Sequence, residues 1–470
     1  KVSRRRFLKY VGGGVVVVAV AGAGAYYYYT TTAPTPPTPV TTTAVTTPLT
    51  TAAPVTTTTA VEMKTPLEMN IWPFMTEIVE ENVKEFNRQY DENLELRQIP
   101  GDYNVAIENK LAAGTPPDLC YSMADTNNKW YKAGWIQELD AAPWADELKR
   151  LCFPGLLDAC KSVDGKLIAL PYANQTSVIY RNLSLLTDYK DYYPNTKEEF
   201  LDHLLELKKK KIADRPWCST WGKLMWQLPG GLISECTAEG DYLFDENLDP
   251  TFDVNTGIRV ALDFWKALWD NKLVAEEIWT WTDADYMGAF ETGQYAYTLA
   301  YDSHTAVYND PNLSKIAGKI EFMPHVPGKT GEATNFAALY SVGKKERTSS
   351  EMARVYNLGS FMAFKDKYGE YFVPKRFATL AKFPPNYLDM AQDPEVKAIF
   401  LQMMTEKEWD WQQNWMRTLV FPKEWRAFWY PEWANYMYDQ VYNGITGKQS
   451  IPTTIQNMRK EAEDLKKKYP

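Results

Sequence analysis

The sequence predicts an exported α/β protein in which helices cover parallel sheets and the folded part divides into two domains. Strand and helix patterns alternate along the start of the folded region, an order typical of parallel sheets. The folded part, Thr65 to Pro470, has about 400 residues, which is more than one hydrophobic core usually serves. A cationic start followed by an uncharged apolar run indicates export.

Residues 1–29 are predicted to be an export signal or a membrane anchor. The stretch SRRRFLK resembles the twin-arginine export signal. The uncharged run that follows, from Tyr10 to Tyr29, has 20 residues, about the length of a helix that crosses a bilayer. The cations before it would keep the N-terminus inside. Small residues from Ala21 to Ala25 leave open whether the signal peptide is cleaved or stays as a transmembrane helix.

Residues 30–64 are predicted to be a disordered Thr/Pro-rich linker that acts as a stalk. From Thr30 to Val61 no residue is charged, and Thr, Pro, Ala and Val dominate. Such a segment cannot bury enough apolar surface to fold, and its prolines keep it extended. Stalks of this kind behind an N-terminal anchor resemble those of archaeal surface proteins.

Apolar spacing predicts the first elements of the folded part. LEMNIW alternates apolar and polar residues and predicts a strand, and NLELRQI predicts a second one. Between them, Val79, Val83, Phe86 and Tyr90 recur at helical spacing. YNVAIENKLAAGTPPDLCYS then predicts a helix, a stop and a short strand. Ligands of parallel sheets lie at the carboxyl ends of strands, where Trp72 would stand.

Charge and motif content exclude several classes of function. A net charge of −9 and a pI near 5.2 argue against nucleic acid and against electrostatic docking on an anionic membrane. Three scattered histidines and failed HExxH and P-loop patterns leave no predicted metal, cofactor or catalytic residue. A stretch that begins like a calcium loop at Asp245 has Pro250 and Thr256 where glycine and glutamate belong.

The five cysteines leave two interpretations open. In an exported protein Cys152 could pair with Cys160, or Cys218 with Cys236, and buried free thiols are the alternative. Aromatic residues make up 14% of the chain, with tryptophans crowded between Glu408 and Trp433. Most aromatic side chains pack in cores, but this excess favours a cleft that stacks on flat apolar faces such as those of sugar rings.

Seven stretches in order resemble the extracellular solute-binding proteins of ABC importers, family 1, the sugar-binding type. They are the strand ending in Trp72, EFNRQY, AAGTPPD, KAGWIQELD, DGKLIALPYANQTSVIYRN, FETGQYAYTLAYDSH and YDQVYNGITGK. AAGTPPD carries the most recognisable pattern of that family. The resemblance covers the chain from about Leu67 to Lys467.

The resemblance implies a two-lobe fold of the periplasmic-binding-protein type II. Each lobe is expected to be a mostly parallel sheet flanked by helices, and several crossovers form the hinge. The expected first lobe comprises residues 65–172 and a return segment, 335–375. The expected second lobe comprises residues 173–334 and the C-terminal helices, 376–470.

The function implied by the resemblance is capture of a sugar or oligosaccharide between the lobes, by hinge closure and without catalysis. A monomer at the extracellular face of the cell membrane would then deliver the ligand to the permease subunits. The predicted ligand-binding residues fall into two groups. Those of the first lobe and crossover are Trp72, Asp125, Tyr172 and Asn174. Those of the second lobe are Trp221, Tyr301, Asp302 and Arg376, with Trp429 and Trp433 as stacking candidates.

Two departures from the family and one sequon affect these expectations. The binding loop has Tyr301 to His304 instead of Gly-x-Trp, and Thr334 to Ala337 replaces a glycine pair. Asn174 heads an N-glycosylation sequon, and a glycan there would contradict its place in a cleft. Three alternatives remain: a carbohydrate-active enzyme with a carboxylate pair, a stalked adhesin or sensor without a hinged cleft, and the same binding fold with specificity for peptides.

Overall fold

One long strand passes through two groups of strands and joins them. The structure, a computed structural model, describes residues 64–224 and 226–469. The predicted export signal or anchor and all but the last residue of the predicted stalk lie outside these residues. Within them, no helix is long and apolar enough to cross a membrane.

The described residues form eight strands. They are β1 Leu67–Ile71, β2 Leu94–Gln98, β3 Leu119–Met123, β4 Leu170–Asn182, β5 Trp217–Cys218, β6 Tyr297–Tyr301, β7 Ile320–Phe322 and β8 Asn335–Ser341.

Sixteen α-helices surround these strands within the described ranges. They are α1 Thr76–Tyr90, α2 Tyr103–Ala112, α3 Ala124–Lys132, α4 Ala145–Leu151, α5 Pro154–Ala159, α6 Lys197–Lys209, α7 Leu228–Ala238, α8 Gly257–Asp270, α9 Asp283–Glu291, α10 Thr305–Tyr308, α11 Ser349–Ala363, α12 Phe372–Leu380, α13 Pro394–Phe400, α14 Glu406–Thr418, α15 Tyr430–Ile445 and α16 Ile451–Lys468. Short 3-10 turns lie at Thr187–Tyr189, Glu276–Trp279, Asp302–His304, Met390–Gln392 and Lys423–Arg426.

Strand pairing divides the molecule at the middle of β4. The sheet order is β2-β1-β3-β8-β4-β6-β5, and β7 also pairs with β4. Residues 170–176 of β4 pair with β8, whereas residues 177–182 pair with β6 and β7. The first lobe is therefore built on β1, β2, β3, β8 and the first half of β4. The second lobe is built on β5, β6, β7 and the second half of β4.

The α/β fold class is confirmed, with strand directions that are more mixed than expected. The pairs β1–β2, β1–β3 and β5–β6 are parallel. β8 runs antiparallel to both of its neighbours, and β4 runs antiparallel to β6, β7 and β8. Parallel and antiparallel pairs are mixed because β4 and β8 carry the chain from one lobe to the other and are not part of a βαβ unit within one lobe.

The predicted early elements form where apolar spacing placed them. In α1, Val79, Val83 and Phe86 are buried, and Phe86 meets Phe361 of α11 with ring centroids 5.4 Å apart. Residues three and four apart share one face of a helix, so this stripe faces the core. β1, β2 and β3 likewise match the predicted strands within one or two residues.

All five cysteines are free thiols buried in the two lobes. The pairs Cys152 with Cys160 and Cys218 with Cys236 are therefore not bonded. Burial raises the pKa of each thiol above its ordinary range, which keeps them protonated and unreactive. At the calcium-like stretch, the Asp245 carboxylate accepts the backbone N–H groups of Asn247 and Asp249 and closes a turn.

Candidate functional site

Several strand ends meet at the level where β4 passes from one lobe to the other. β1 and β3 end there from the first lobe, β6 ends there from the second, and β8 begins there. The carboxyl ends of strands in open α/β sheets are where ligands bind, because loops rather than sheet follow them. This region between the lobes, the cleft, is the candidate binding site.

The floor of this cleft is a polar network around the middle of β4. The Asp302 carboxylate accepts the backbone N–H of Thr176 at 3.0 Å and the Gln412 side-chain N–H at 2.9 Å. The Gln175 amide donates to the Ser303 hydroxyl at 2.6 Å. Burial raises the pKa of Asp302 to about 7, although its hydrogen bonds oppose the rise. This network ties the crossover strand to the second lobe.

A row of aromatic rings, most of them buried, lies beside the cleft. Phe336, at the start of β8, lies between Tyr301 and Trp425, with ring centroids 5.9 Å from each. Trp226 meets Phe336 at 6.5 Å, and Trp425 meets Tyr430 at 6.4 Å. Aromatic faces of this kind are suited to stacking on the apolar face of a ligand.

Hydrogen bonds hold the Trp226 end of this row. The Trp226 indole N–H donates to the Asp283 carboxylate at 3.0 Å, and the Tyr301 hydroxyl donates to the Trp226 carbonyl at 3.2 Å. Burial raises the pKa of Asp283, while hydrogen bonds from Trp226 and Gln227 limit the rise. The indole hydrogen bond to Asp283 holds the orientation of the Trp226 ring, and the bond from Tyr301 holds its backbone.

The first lobe contributes Trp72 after β1 and Asp125 after β3. Trp72 is partly exposed and packs on Tyr121 at 4.7 Å and on Tyr103 at 5.0 Å. Asp125 lies in the first turn of α3, where negative charge is favoured by the helix dipole. Its Oδ1 is enclosed and accepts no hydrogen bond from the described residues. Burial raises the pKa of Asp125 to about 6.

Of the buried polar atoms without a protein partner, which are spread through both lobes, several lie near the cleft. Within the part of the chain that the structure describes, they include Asp125 Oδ1, Asn174 Nδ2, Asn335 Oδ1, Glu424 Oε1, Trp425 Nε1 and the Tyr430 hydroxyl. A buried polar atom without a partner costs free energy, so such atoms are suited to bonding a ligand. The set contains both donors and acceptors, which matches a polyhydroxylated molecule.

The structure brings five of the predicted residues to the cleft. They are Trp72, Asp125, Asn174, Tyr301 and Asp302. Asn174 is fully buried, and its side-chain oxygen accepts from Asn335 at 3.3 Å. Such burial leaves no room for a glycan on the Asn174 sequon.

The other predicted residues pack elsewhere. Tyr172 stacks behind the cleft on Tyr121 at 4.5 Å. Trp221 stacks on Trp265 at 5.0 Å inside the second lobe. Trp429 packs against Phe244. The indole N–H of Trp433 donates to the Met458 carbonyl. The Arg376 guanidinium donates to Asn82 and Glu81 of α1 in the first lobe.

Sequence reasoning missed Trp226, Phe336, Glu424, Trp425 and Tyr430. The tryptophan-rich segment that ends at Trp433 contains the last three, but local spacing does not distinguish a core ring from a cleft ring. Phe336 lies in the stretch that replaces the family's glycine pair, and that departure was the available signal. Among residues 64–224 and 226–469, no group of three or more His, Cys, Asp or Glu could hold a metal ion.

Comparisons with known proteins agree with this architecture. A sequence model of the family described as bacterial extracellular solute-binding protein matches residues 81–399. Maltose-bound MalE3 of T. maritima is 18% identical with a TM-score of 0.69, covering 85% of this chain and 99% of that chain. The GacH receptor of Streptomyces glaucescens, solved unliganded and with acarbose, is 17% identical with a TM-score of 0.67. The match covers 87% of this chain and 100% of that receptor. The cyclic alpha-maltosyl-1,6-maltose binding protein of Arthrobacter globiformis is 13% identical with a TM-score of 0.68. The match covers 85% of this chain and 98% of that protein.

Proposed function

We propose, because the chain belongs to the family of bacterial extracellular solute-binding proteins, that it captures a sugar or oligosaccharide in the cleft between its lobes. The observation that carries this proposal is the row of aromatic rings from Trp226 to Tyr430, with unpartnered polar atoms around it. Stacking on the rings and hydrogen bonds to the polar atoms are the two interactions that sugars use. The similar structures include a maltose-bound protein, a receptor in complex with acarbose and a cyclic alpha-maltosyl-1,6-maltose binding protein.

Closure follows from where the ligand would bind. A ligand that touches Asp125 of the first lobe and Tyr301 of the second gains more contacts when the lobes approach, so it shifts the population toward the closed form. Rotation about the middle of β4, near Thr176, would bring the lobes together. The closed protein would then deliver its ligand to the permease subunits of an ABC importer.

The location and assembly belong to the same proposal. Residues 1–29 would export the protein and either anchor it as a transmembrane helix or be cleaved, and residues 30–64 would hold the lobes away from the outer face of the membrane. The protein would act as a monomer against its permease. No bond of the ligand would be broken.

A ligand screen of the full chain tests this function. Thermal unfolding would be followed with monosaccharides, oligosaccharides and a set of short peptides. A ligand at about 100 times its Kd should stabilise the fold by about 2.7 kcal/mol. We expect an oligosaccharide to stabilise the protein and to be recovered intact. Recovery of cleaved sugar would point to an enzyme, and a response to peptides alone would overturn the carbohydrate proposal.

A further inference from the structure

We propose that the ligand is a sugar bearing a protonated amine, whose ammonium group lies where Asp125 of the first lobe and Glu424 of the second converge on Tyr430. This inference rests on the proposed function and specifies the substrate class of the same cleft. Neither the fold nor the aromatic row determines the charge of the ligand, and this inference assigns that charge.

The two acids lie on elements that pack together. Burial raises the pKa of Tyr430, the negative charges of Glu424 and Asp125 raise it further, and an interaction with the Trp425 side chain lowers it. Packing of α3, which carries Asp125, against the turn Lys423–Arg426 brings the two lobes into contact at this point.

Both carboxylates have an oxygen with no donor. Oδ1 of Asp125 and Oε1 of Glu424 accept no hydrogen bond from residues 64–224 or 226–469, and Glu424 is only 2% exposed. An unpartnered buried carboxylate is costly, and a cation that donates hydrogen bonds relieves the cost most effectively. The burial of Glu424 raises its pKa to about 7, although a hydrogen bond from its own backbone N–H and the charge of Lys423 oppose the rise.

Of the four basic side chains on α3 and on the turn Lys423–Arg426, Lys132 lies over the Phe428 ring at 4.9 Å, and the other three are bonded to other groups. Lys423 pairs with Glu246 at 2.6 Å, and Lys129 pairs with Glu108 at 2.7 Å. Arg426 donates to the Asp158 carbonyl at 2.9 Å. None of these three cations bonds Asp125 or Glu424, although the charges of Lys129 and Lys423 lower the pKa of Asp125 and of Glu424 and oppose the effect of burial. A ligand cation would therefore be the first group to bond both carboxylates directly.

The remaining groups favour an amino sugar over a neutral or acidic one. A neutral sugar hydroxyl donates and accepts, so it leaves two carboxylates without a counter-charge. An acidic sugar would be repelled by them. An ammonium group is attracted by both carboxylates and by the faces of Trp425 and Tyr430. The unpartnered Trp425 indole N–H can donate to a hydroxyl of the same sugar.

The test compares three β-1,4-linked tetrasaccharides of the same length on the full chain by isothermal titration calorimetry. They contain glucosamine, N-acetylglucosamine or glucose. We expect the glucosamine tetrasaccharide to bind at least about tenfold more tightly than either of the others, because only it carries positive charge. This ranking uses the unaltered protein, so it does not depend on the folding of any variant.

Two variants and a control then locate the charge. Glu424→Gln and Asp125→Asn should each reduce the preference for glucosamine toward parity. Glu432→Gln removes an exposed acid of α15 that bonds Lys468 and should leave the preference unchanged. Equal or tighter binding of glucose or N-acetylglucosamine by the unaltered protein would overturn this inference and leave the proposed function standing. Binding of none of the three, together with no response to any sugar in the screen, would overturn both.

Discussion

Trp226 is the partly exposed ring at one end of the aromatic row, and its face is therefore available to a ligand. We predict that Trp226→Ala raises the Kd of the sugar found in the screen by about tenfold, or about 1.4 kcal/mol, because one stacking face is lost. Calorimetric titration measures the change. Trp411→Ala is the matched control, since Trp411 lies on α14 outside the aromatic row, with Lys407 over its ring at 4.5 Å and Tyr193 at 5.6 Å. Equal effects of the two substitutions would contradict the assignment.

Asp118 ends the AAGTPPD motif and joins three segments of the first lobe. It accepts from Arg347 at 2.8 Å and from the backbone N–H of Glu68 at 3.0 Å, and it pairs with Lys345 at 2.9 Å. Burial alone would raise the pKa of Asp118, but these donors outweigh it and hold the pKa below its ordinary value. The most recognisable stretch of the sequence thus has a structural role.

A carboxyl group whose pKa is lowered by folding stabilises the fold at any pH above its unfolded-state pKa, about 3.9. This stabilisation disappears as the pH falls through the folded-state pKa. We predict that Arg347→Met lowers the free energy of unfolding by about 3–5 kcal/mol at neutral pH, because Asp118 stays buried without its main partner. Urea unfolding at neutral and at acidic pH checks both the loss and its pH dependence. Arg88→Met, at an exposed pair, should change the free energy by less than about 1 kcal/mol. A loss no larger than that of Arg88→Met would refute the argument.

At the scale of elements, β4 combines a core strand with a hinge. All 13 of its residues are buried, and the change of partner from β8 to β6 falls between Thr176 and Ser177. The Asp302 carboxylate bonds the Thr176 N–H at this change of partner. A rotation there can move whole lobes while the sheet pairing on each side stays intact.

The titration of Asp302 gives this element a pH dependence. Its pKa is raised to about 7, so the stability that it contributes is present below the unfolded-state pKa, about 3.9, and is lost as pH rises through about 7. Asp302→Asn removes the charge and keeps an oxygen for Thr176. We predict that the unfolding free energy falls less in this variant than in the unaltered protein as pH rises from acidic to mildly alkaline. The difference between the two proteins should be at most about 1.4 kcal/mol for each pH unit. Parallel pH curves for the two proteins would show that Asp302 does not titrate in this range.

The elements that sequence predicted best are those with one apolar face. The helical stripe on α1 reflects burial of one side, which apolar spacing records directly. In β1 the alternation of residue types predicted the strand although the polar Asn70 is buried as well. The cleft residues were harder to predict because their neighbours come from distant segments. Trp425 and Trp433 lie eight positions apart in one aromatic run, yet Trp425 meets Phe336 and Trp433 packs on Phe244 in the core.

At the scale of the whole molecule, the resemblance predicted two lobes and the contacts explain how they are joined. Trp72, Asp125 and Asp302 reach the cleft because each follows a strand that ends there, and Tyr301 reaches it as the last residue of such a strand. The placement of Arg376 could not be read from its segment, since its partners lie on α1, almost 300 residues earlier in the chain. Long-range pairing of this kind leaves no local pattern in the sequence.

Ligand-dependent approach of the lobes is the central claim, and a distance between spin labels tests it most directly. Val163 of the first lobe and Val260 of the second are 50% and 38% exposed, and the five native thiols are buried, so Val163→Cys and Val260→Cys give two selective sites. The full chain would be labelled, and the distance measured by double electron–electron resonance with and without the sugar found in the screen. We predict a shorter and narrower distance distribution with the sugar bound. An unchanged distribution at saturating sugar would contradict capture by closure between the lobes.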